Sequence, residues 1–281
     1  MGRRIAVLRN LLKAWLLLAL PALGMGFAGW RLGGYRVAIL FIASVVLLAA
    51  ATYFYADKIA MGMIGAHELL PGEAPALHSA VQTLAARSGV VPPKLYVLRD
   101  GYPRAVGAGR GAQGGAALAV STGLLSVATP AELEGIIAHQ LAHLRSRDVI
   151  VETAAVVLAG ALVDTSRLGG FLERALLFVL GPLAASFVHL LLSPKREFAA
   201  DRYAAELCSS PHGLADALLR LEQAMELVSF EASPATEPLY VTNPFAEEGL
   251  AALFVTHPPL GDRVRRLREL DPEWRDKLRA A

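Results

Sequence analysis

The stretch TPAELEGIIAHQLAHLRSRD, running from Thr129 to Asp148, decides how the chain is read. Thr129 followed three residues later by Glu132 is a capping box, and Pro130 sits where a first helical residue loses nothing by lacking an N–H. A helix is expected to start there. Ile136, Ile137, Leu141 and Leu144 then recur with helical rather than alternating spacing. His139 and His143 lie four apart, so their imidazoles project from one face a turn apart. At that spacing two histidines can share one tetrahedral zinc ion. The same spacing also arises on an ordinary polar helix face.

A second segment bears on that choice. Arg196-Glu197-Phe198-Ala199-Ala200-Asp201 opens a helix directly after an apolar block. Glu197 would add a carboxylate to two imidazoles and leave a fourth coordination position open, the arrangement of catalytic rather than structural zinc sites. Asp201, one turn on, is placed to accept the other ring N–H of a ligand histidine. It reads equally as a solvent-facing helix charge. The chain has one cysteine, Cys208, which excludes a disulfide framework and a Cys-rich metal site. Any metal must sit on histidines and carboxylates. Twenty-seven basic residues against 25 acidic ones give a net charge of +2, with no basic stripe, so no nucleic-acid partner is expected.

The apolar residues make up 54% of the 281, and the excess falls in blocks, which points to a membrane protein. Ala14 to Trp30 carries no charge between Lys13 and Arg31, and Val37 to Ala56 repeats the pattern between Arg36 and Asp57. A hydrocarbon core needs about 20 apolar residues, or about 17 at the low end, so both are expected to span. A cleaved signal is disfavoured for the first block by its length, Pro21 and the second block close behind. Val149 to Val163, holding Glu152, and Ala175 to Ser193, holding Pro182 and His189, are marginal. They are read as a membrane or interfacial helical hairpin with its tip at Asp164 to Arg174. Arg3, Arg4, Arg9 and Lys13 outnumber Arg31 and Arg36, which favours a cytoplasmic N-terminus. A channel would need more ionisable residues inside the spans than Glu152 and His189.

Four stretches follow: a membrane pair over 1–56, a polar region with the active helix over 57–148, the hairpin over 149–193 and a second polar region over 194–281. The two polar regions face one compartment and are expected to form one domain. Within it, Ala76 to Ser88 reads as an amphipathic helix stopped by Gly89. Lys94 to Leu98 and Ala116 to Ser121 read as strands separated by a glycine-rich loop over Gly101 to Gly115.

In these motifs the chain resembles the HtpX-like membrane metalloproteases, relatives of the CAAX prenyl proteases. The likeness covers two N-terminal spans, the His139 to His143 helix with Arg147-Asp148 after it, the later apolar pair, Glu197 and Asp201, and Thr256-His257-Pro258-Pro259 followed by Arg263. It implies an α+β, mainly helical fold: multipass membrane helices with a cytosolic zincin-like metalloprotease domain carrying a small sheet. It implies one Zn2+ per chain held by His139, His143 and Glu197, with Asp201 behind them, and His257 and Arg263 near the reacting carbonyl. Unfolded or membrane proteins are the implied substrates, and the inner (cytoplasmic) membrane the implied location, with the site facing the cytoplasm. The strand at Ala116 to Ser121 resembles the edge against which such proteases lay a substrate. His67, His78, His189 and His212 have no partner motif.

One departure matters. The family pattern demands Glu where this chain has Gln140, and a neutral amide cannot take a proton from attacking water or return one to the leaving amine. Roughly 10²- to 10⁴-fold in rate is expected to be lost, with folding and metal binding kept. A deliberately disabled peptidase and a natural non-catalytic relative that binds protein segments would both carry this exchange.

Overall fold

The computed structural model describes residues 2–147, 149–150, 153, 194–208, 210–227, 258–271 and 273. In chain order the elements are α1 (Gly2–Phe54), α2 (Ala56–Met63), β1 (His67–Glu68), α3 (Pro75–Ser88), β2 (Lys94–Leu98), β3 (Ala105–Gly109), β4 (Ala116–Ser121), α4 (Thr122–Val127), α5 (Pro130–Ser146), α6 (Pro194–Leu207), α7 (His212–Leu227) and α8 (Leu260–Arg268). The described fold is mainly helical with one small mixed sheet. The marginal blocks at 149–163 and 175–193 lie almost wholly outside the described residues.

α1 is not one rod. Its backbone leaves the helical region at Gly33 and Gly34, the latter at φ 71°. A Cβ on Gly29 would fall 2.9 Å from Ala38 Cα, and one on Gly26 would fall 2.9 Å from the Ile42 side chain. Residues nine apart in a straight helix are separated by about 13 Å along the axis, so the chain has doubled back into two antiparallel arms. Leu23, Phe27, Leu40 and Leu47 point outward from them. The stretch Ala22–Leu47 is long and apolar enough to cross a membrane by length and composition, with mean hydropathy 1.5, but the Gly33–Gly34 turn folds it in two. The arms coincide with the two N-terminal apolar blocks.

The sheet order is β1-β2-β4-β3. β2 pairs with β4 in parallel, while β3 pairs with β4 antiparallel, Ala105 opposite Val120 and Gly109 opposite Ala116. Two sequence expectations are corrected here. The glycine-rich loop contains a strand, and β4 is central rather than an edge. Ala-Val-Gly-Ala-Gly has low intrinsic strand preference, so only its pairing with β4 makes it one. β3 is outermost, yet all five of its residues are buried. The Gly109 N–H donates to Thr153 Oγ1 at 3.1 Å, so the segment after α5 closes that end of the edge.

Every β4 residue is buried because both sheet faces are covered. One face, with Leu95, Ala105, Leu118 and Val120, joins the main core with α3, α5, α6 and α7. The other, with Tyr96, Leu98, Val106, Ala117 and Ala119, packs on Ala60 and Met61 of α2.

α5 starts where its sequence says. Thr129 Oγ1 accepts from the Glu132 N–H at 3.3 Å, and Glu132 Oε2 accepts from the Thr129 N–H at 2.7 Å. The buried Glu132 carboxylate also accepts from Arg220 Nε at 2.9 Å, tying α5 to α7. The two helices meet closely: a Cβ on Gly135 would lie 2.6 Å from the Leu214 backbone nitrogen. α5 ends at Ser146, capped by Arg147 in the left-handed region at φ 61°. An unbroken helical run from His143 into the following apolar block is therefore not present.

Candidate metal centre

His139 and His143 stand on the face of α5 that meets α6, and Glu197 stands in the first turn of α6. Burial of the Ile136, Ile137, Leu141 and Leu144 side chains fixes the rotation of α5, so the histidine face has nowhere to turn but toward α6. His139 Nε2 and His143 Nε2 are 3.2 Å apart. Glu197 Oε2 lies 3.6 Å from His139 Nε2, and Oε1 lies 3.5 Å from His143 Nε2. Each of the three residues is at least 95% buried, and their ligand atoms lie within 4.8 Å of one another. Two imidazole nitrogens and a carboxylate converging at a buried point could hold one metal ion. The nitrogen and oxygen donors suit zinc, and three protein ligands leave a fourth position.

The electrostatics match that use. His139 Nδ1 lies 2.9 Å from Asp201 Oδ1, which places the ring proton on Nδ1 and leaves Nε2 with its lone pair toward Glu197. Burial pushes the His139 pKa down to about 4, against an opposing pull from Asp201. The ring is thus a neutral ligand near pH 7. Burial alone would raise the Asp201 pKa, but the Arg263 guanidinium holds it down to about 2. Arg263 Nε donates to Asp201 Oδ2 at 2.8 Å and Nη2 to Oδ1 at 2.7 Å, a two-pronged grip from α8.

The structure thus brings His139, His143, Glu197, Asp201 and Arg263 together. Arg263, expected near the reacting carbonyl, grips Asp201 from α8 and brings its Nη2 within 3.5 Å of His139 Nδ1. His257 lies outside the described residues. Gln140, 4% exposed, is on the same helix with its carboxamide against β3: a Cβ on Gly107 would overlap its Oε1 and lie 3.5 Å from its Cδ. The lone Cys208 is away from the cluster. Its Sγ contacts the Glu134 carbonyl, and burial pushes its pKa up to about 11, so it stays a thiol. His212 contacts Asp271 at 2.9 Å and Arg268 at 2.6 Å, which ties the start of α7 to the C-terminal end of α8 and the residues after it.

Sequence reading did not single out Thr153, and it assigned Gly107 no role. Glycine beside an active helix signals close backbone approach only when the strand that contains it has been recognised.

Comparison with known proteins gives the family. The model of "Peptidase family M48" matches residues 71–271. A "Protease HtpX homolog" of Pelotomaculum thermopropionicum is 35% identical over 276 residues, covering 92% of this chain and 98% of that protein. Those of Acidiphilium cryptum and Pyrococcus abyssi are 38% and 36% identical, covering 93% and 89% of this chain and 96% and 92% of theirs. Among solved structures, S. mikatae Ste24p is 17% identical with a TM-score of 0.49, covering 95% of this chain and 66% of that one. With a family match over residues that include His139, His143, Glu197, Asp201 and Arg263, and full-length relatives at this identity, the chain belongs to peptidase family M48 as an HtpX-type member.

Proposed function

We propose that this chain is a membrane-anchored, HtpX-type zinc endopeptidase site whose hydrolytic step is strongly impaired by Gln140. The observation that carries the metal part is the convergence of His139, His143 and Glu197 at one buried point. When bound, zinc supplies Lewis-acid activation of water and of the scissile carbonyl. His139 and His143 would hold it through Nε2 and Glu197 through its carboxylate. Asp201 keeps the His139 proton on Nδ1, and Arg263 keeps Asp201 ionised and in place.

What the side chains lack is a proton carrier at position 140. In peptide hydrolysis the attacking water gives up a proton and the leaving nitrogen takes one. A carboxylate can do both in turn, whereas the Gln140 carboxamide can do neither at neutral pH. Binding survives, because Gln and Glu have nearly the same shape.

The two arms of α1 would lie in the bilayer with the N-terminus in the cytoplasm, given the basic residues before the first arm. The metal centre would then face the cytoplasm, acting on unfolded or misassembled membrane proteins in quality control.

The test is zinc content and cleavage of an unfolded protein by detergent-solubilised protein, for this chain and for Gln140→Glu. Both are expected to hold about one zinc, with the Glu form at least about 10²-fold faster and stopped by a chelator. A protein that holds zinc in both forms and cuts in neither would overturn the peptidase reading and leave a peptide-holding role. Absence of zinc in both would remove the metal assignment.

A further inference from the structure

We propose that Gly107 is the positioning residue for the side chain at 140: its bare Cα lets the Gln140 carboxamide rest on the β3 backbone. Position 107 lies in the interior of β3, opposite Leu118. It is not among the residues of positive φ, so its backbone conformation suits any residue. Glycine inside a strand weakens it, through lost packing and greater freedom in the unfolded chain. Its neighbours Ala105, Val106 and Ala108 are ordinary buried strand residues. The reason for glycine is therefore space, and a single side chain takes that space. The three nearest heavy atoms to a Cβ built on Gly107 all belong to Gln140, beginning with Oε1.

The ladder shows how β3 is oriented there. Ser121 N–H donates to the Arg104 carbonyl at 3.0 Å and Arg110 N–H to the Gly115 carbonyl at 2.8 Å. Even-numbered residues of β3 therefore face β4, and Gly107 directs its own N–H and C=O away from it. Gly109, two residues on, does the same and gives its N–H to Thr153. Gln140 thus packs on a strand held along one side by β4 and, at Gly109, by Thr153 on the other. A methyl group at 107 would have to move the tip of residue 140 off the strand instead.

Two readouts test the pairing. The first is thermal and does not depend on the peptidase reading. Gly107→Ala is expected to lower Tm by roughly 2–4 °C with Gln at 140, and to leave Tm unchanged or higher in a Gln140→Ala background. Equal shifts in the two backgrounds would overturn the proposal. If Gly107→Ala alone fails to fold, folding of the Gly107→Ala/Gln140→Ala double variant supports the pairing, and its failure overturns it. The second readout rests on the peptidase reading. In the Gln140→Glu protein, adding Gly107→Ala is expected to change kcat several-fold with KM unchanged, because only the placement of the base moves. Identical kcat values in two active proteins would overturn the positioning role, whereas inactivity of both would count against the peptidase reading and leave the thermal result to decide the pairing.

Discussion

His139 and Asp201 meet at 2.9 Å, and that one contact decides which nitrogen of the metal-facing imidazole carries its proton. Among the described residues, Asp201 is otherwise gripped by Arg263 through both of its carboxylate oxygens. Asp201→Asn keeps an acceptor oxygen but loses the charge that makes Nε2 a better donor. Zinc affinity is expected to fall about 10- to 100-fold, read by competition against a chromogenic chelator, with helix content unchanged. Wild-type affinity in that variant would show that the contact is only structural.

Arg263→Met removes the counter-charge from a carboxylate that is 3% exposed. Removing one partner of a buried pair costs about 3–5 kcal/mol because the other is left ionised without compensation. The double variant Asp201→Asn/Arg263→Met should therefore be more stable than Arg263→Met alone. Denaturant midpoints of the three proteins check this, and a double variant no better than the single one would contradict it.

The pH response of chelator-treated protein follows from the same cluster. The His139 pKa is about 4 when folded against 6.5 for the free group. The unfolded chain therefore binds more protons between these values, and stability rises with pH across that window. The contribution is fully present above pH 6.5 and lost as pH falls to 4, amounting to about 3 kcal/mol. Asp201, at about 2 against 3.8, adds a second loss only below pH 3.8. Tm measured from pH 7.5 to 4.5 should decline mainly below 6.5, and the decline should vanish in His139→Phe if that variant folds.

Gly135→Ala tests how closely α5, the helix that carries the two histidines, packs on α7. The added methyl would meet the Leu214 backbone, which cannot swing aside as a side-chain tip can. An overpacking cost of about 1–3 kcal/mol is expected. Zinc stoichiometry should be retained at 20 °C while the unfolding midpoint drops. Unchanged stability would mean that α5 and α7 are less closely joined than described.

Thr153→Val removes the acceptor for the Gly109 N–H while keeping shape. A buried N–H left without a partner costs about 1–3 kcal/mol. Thr153→Ser should cost much less, and hydrogen exchange at Gly109 should quicken in the Val variant alone.

Much of the site could be read before any coordinates. Thr129, Pro130 and Glu132 mark a helix start through local chemistry, and His139 and His143 are related by helical geometry that needs no tertiary information. β2, β4 and α3 were legible for the same reason. β3 was not, because Gly107 and Gly109 carry the signal of a loop and only the partner strand overrules it. The task of Arg263 was equally hidden: it lies 62 residues from Asp201 in sequence, and no local pattern says which of several arginines on a helix will be buried against a carboxylate. The Gly135 crossing depends on Leu214 in the same way.

Arg147, at φ 61°, closes the helix that carries the two histidines. A continuous helix would act as a lever, passing any tilt of the chain beyond it straight to the ligands. A left-handed residue interrupts that lever one turn past His143. The histidines are then held in register by α6, α7 and the sheet, so that strain entering beyond Arg147 does not travel along the helix axis to the distances among His139, His143 and Glu197.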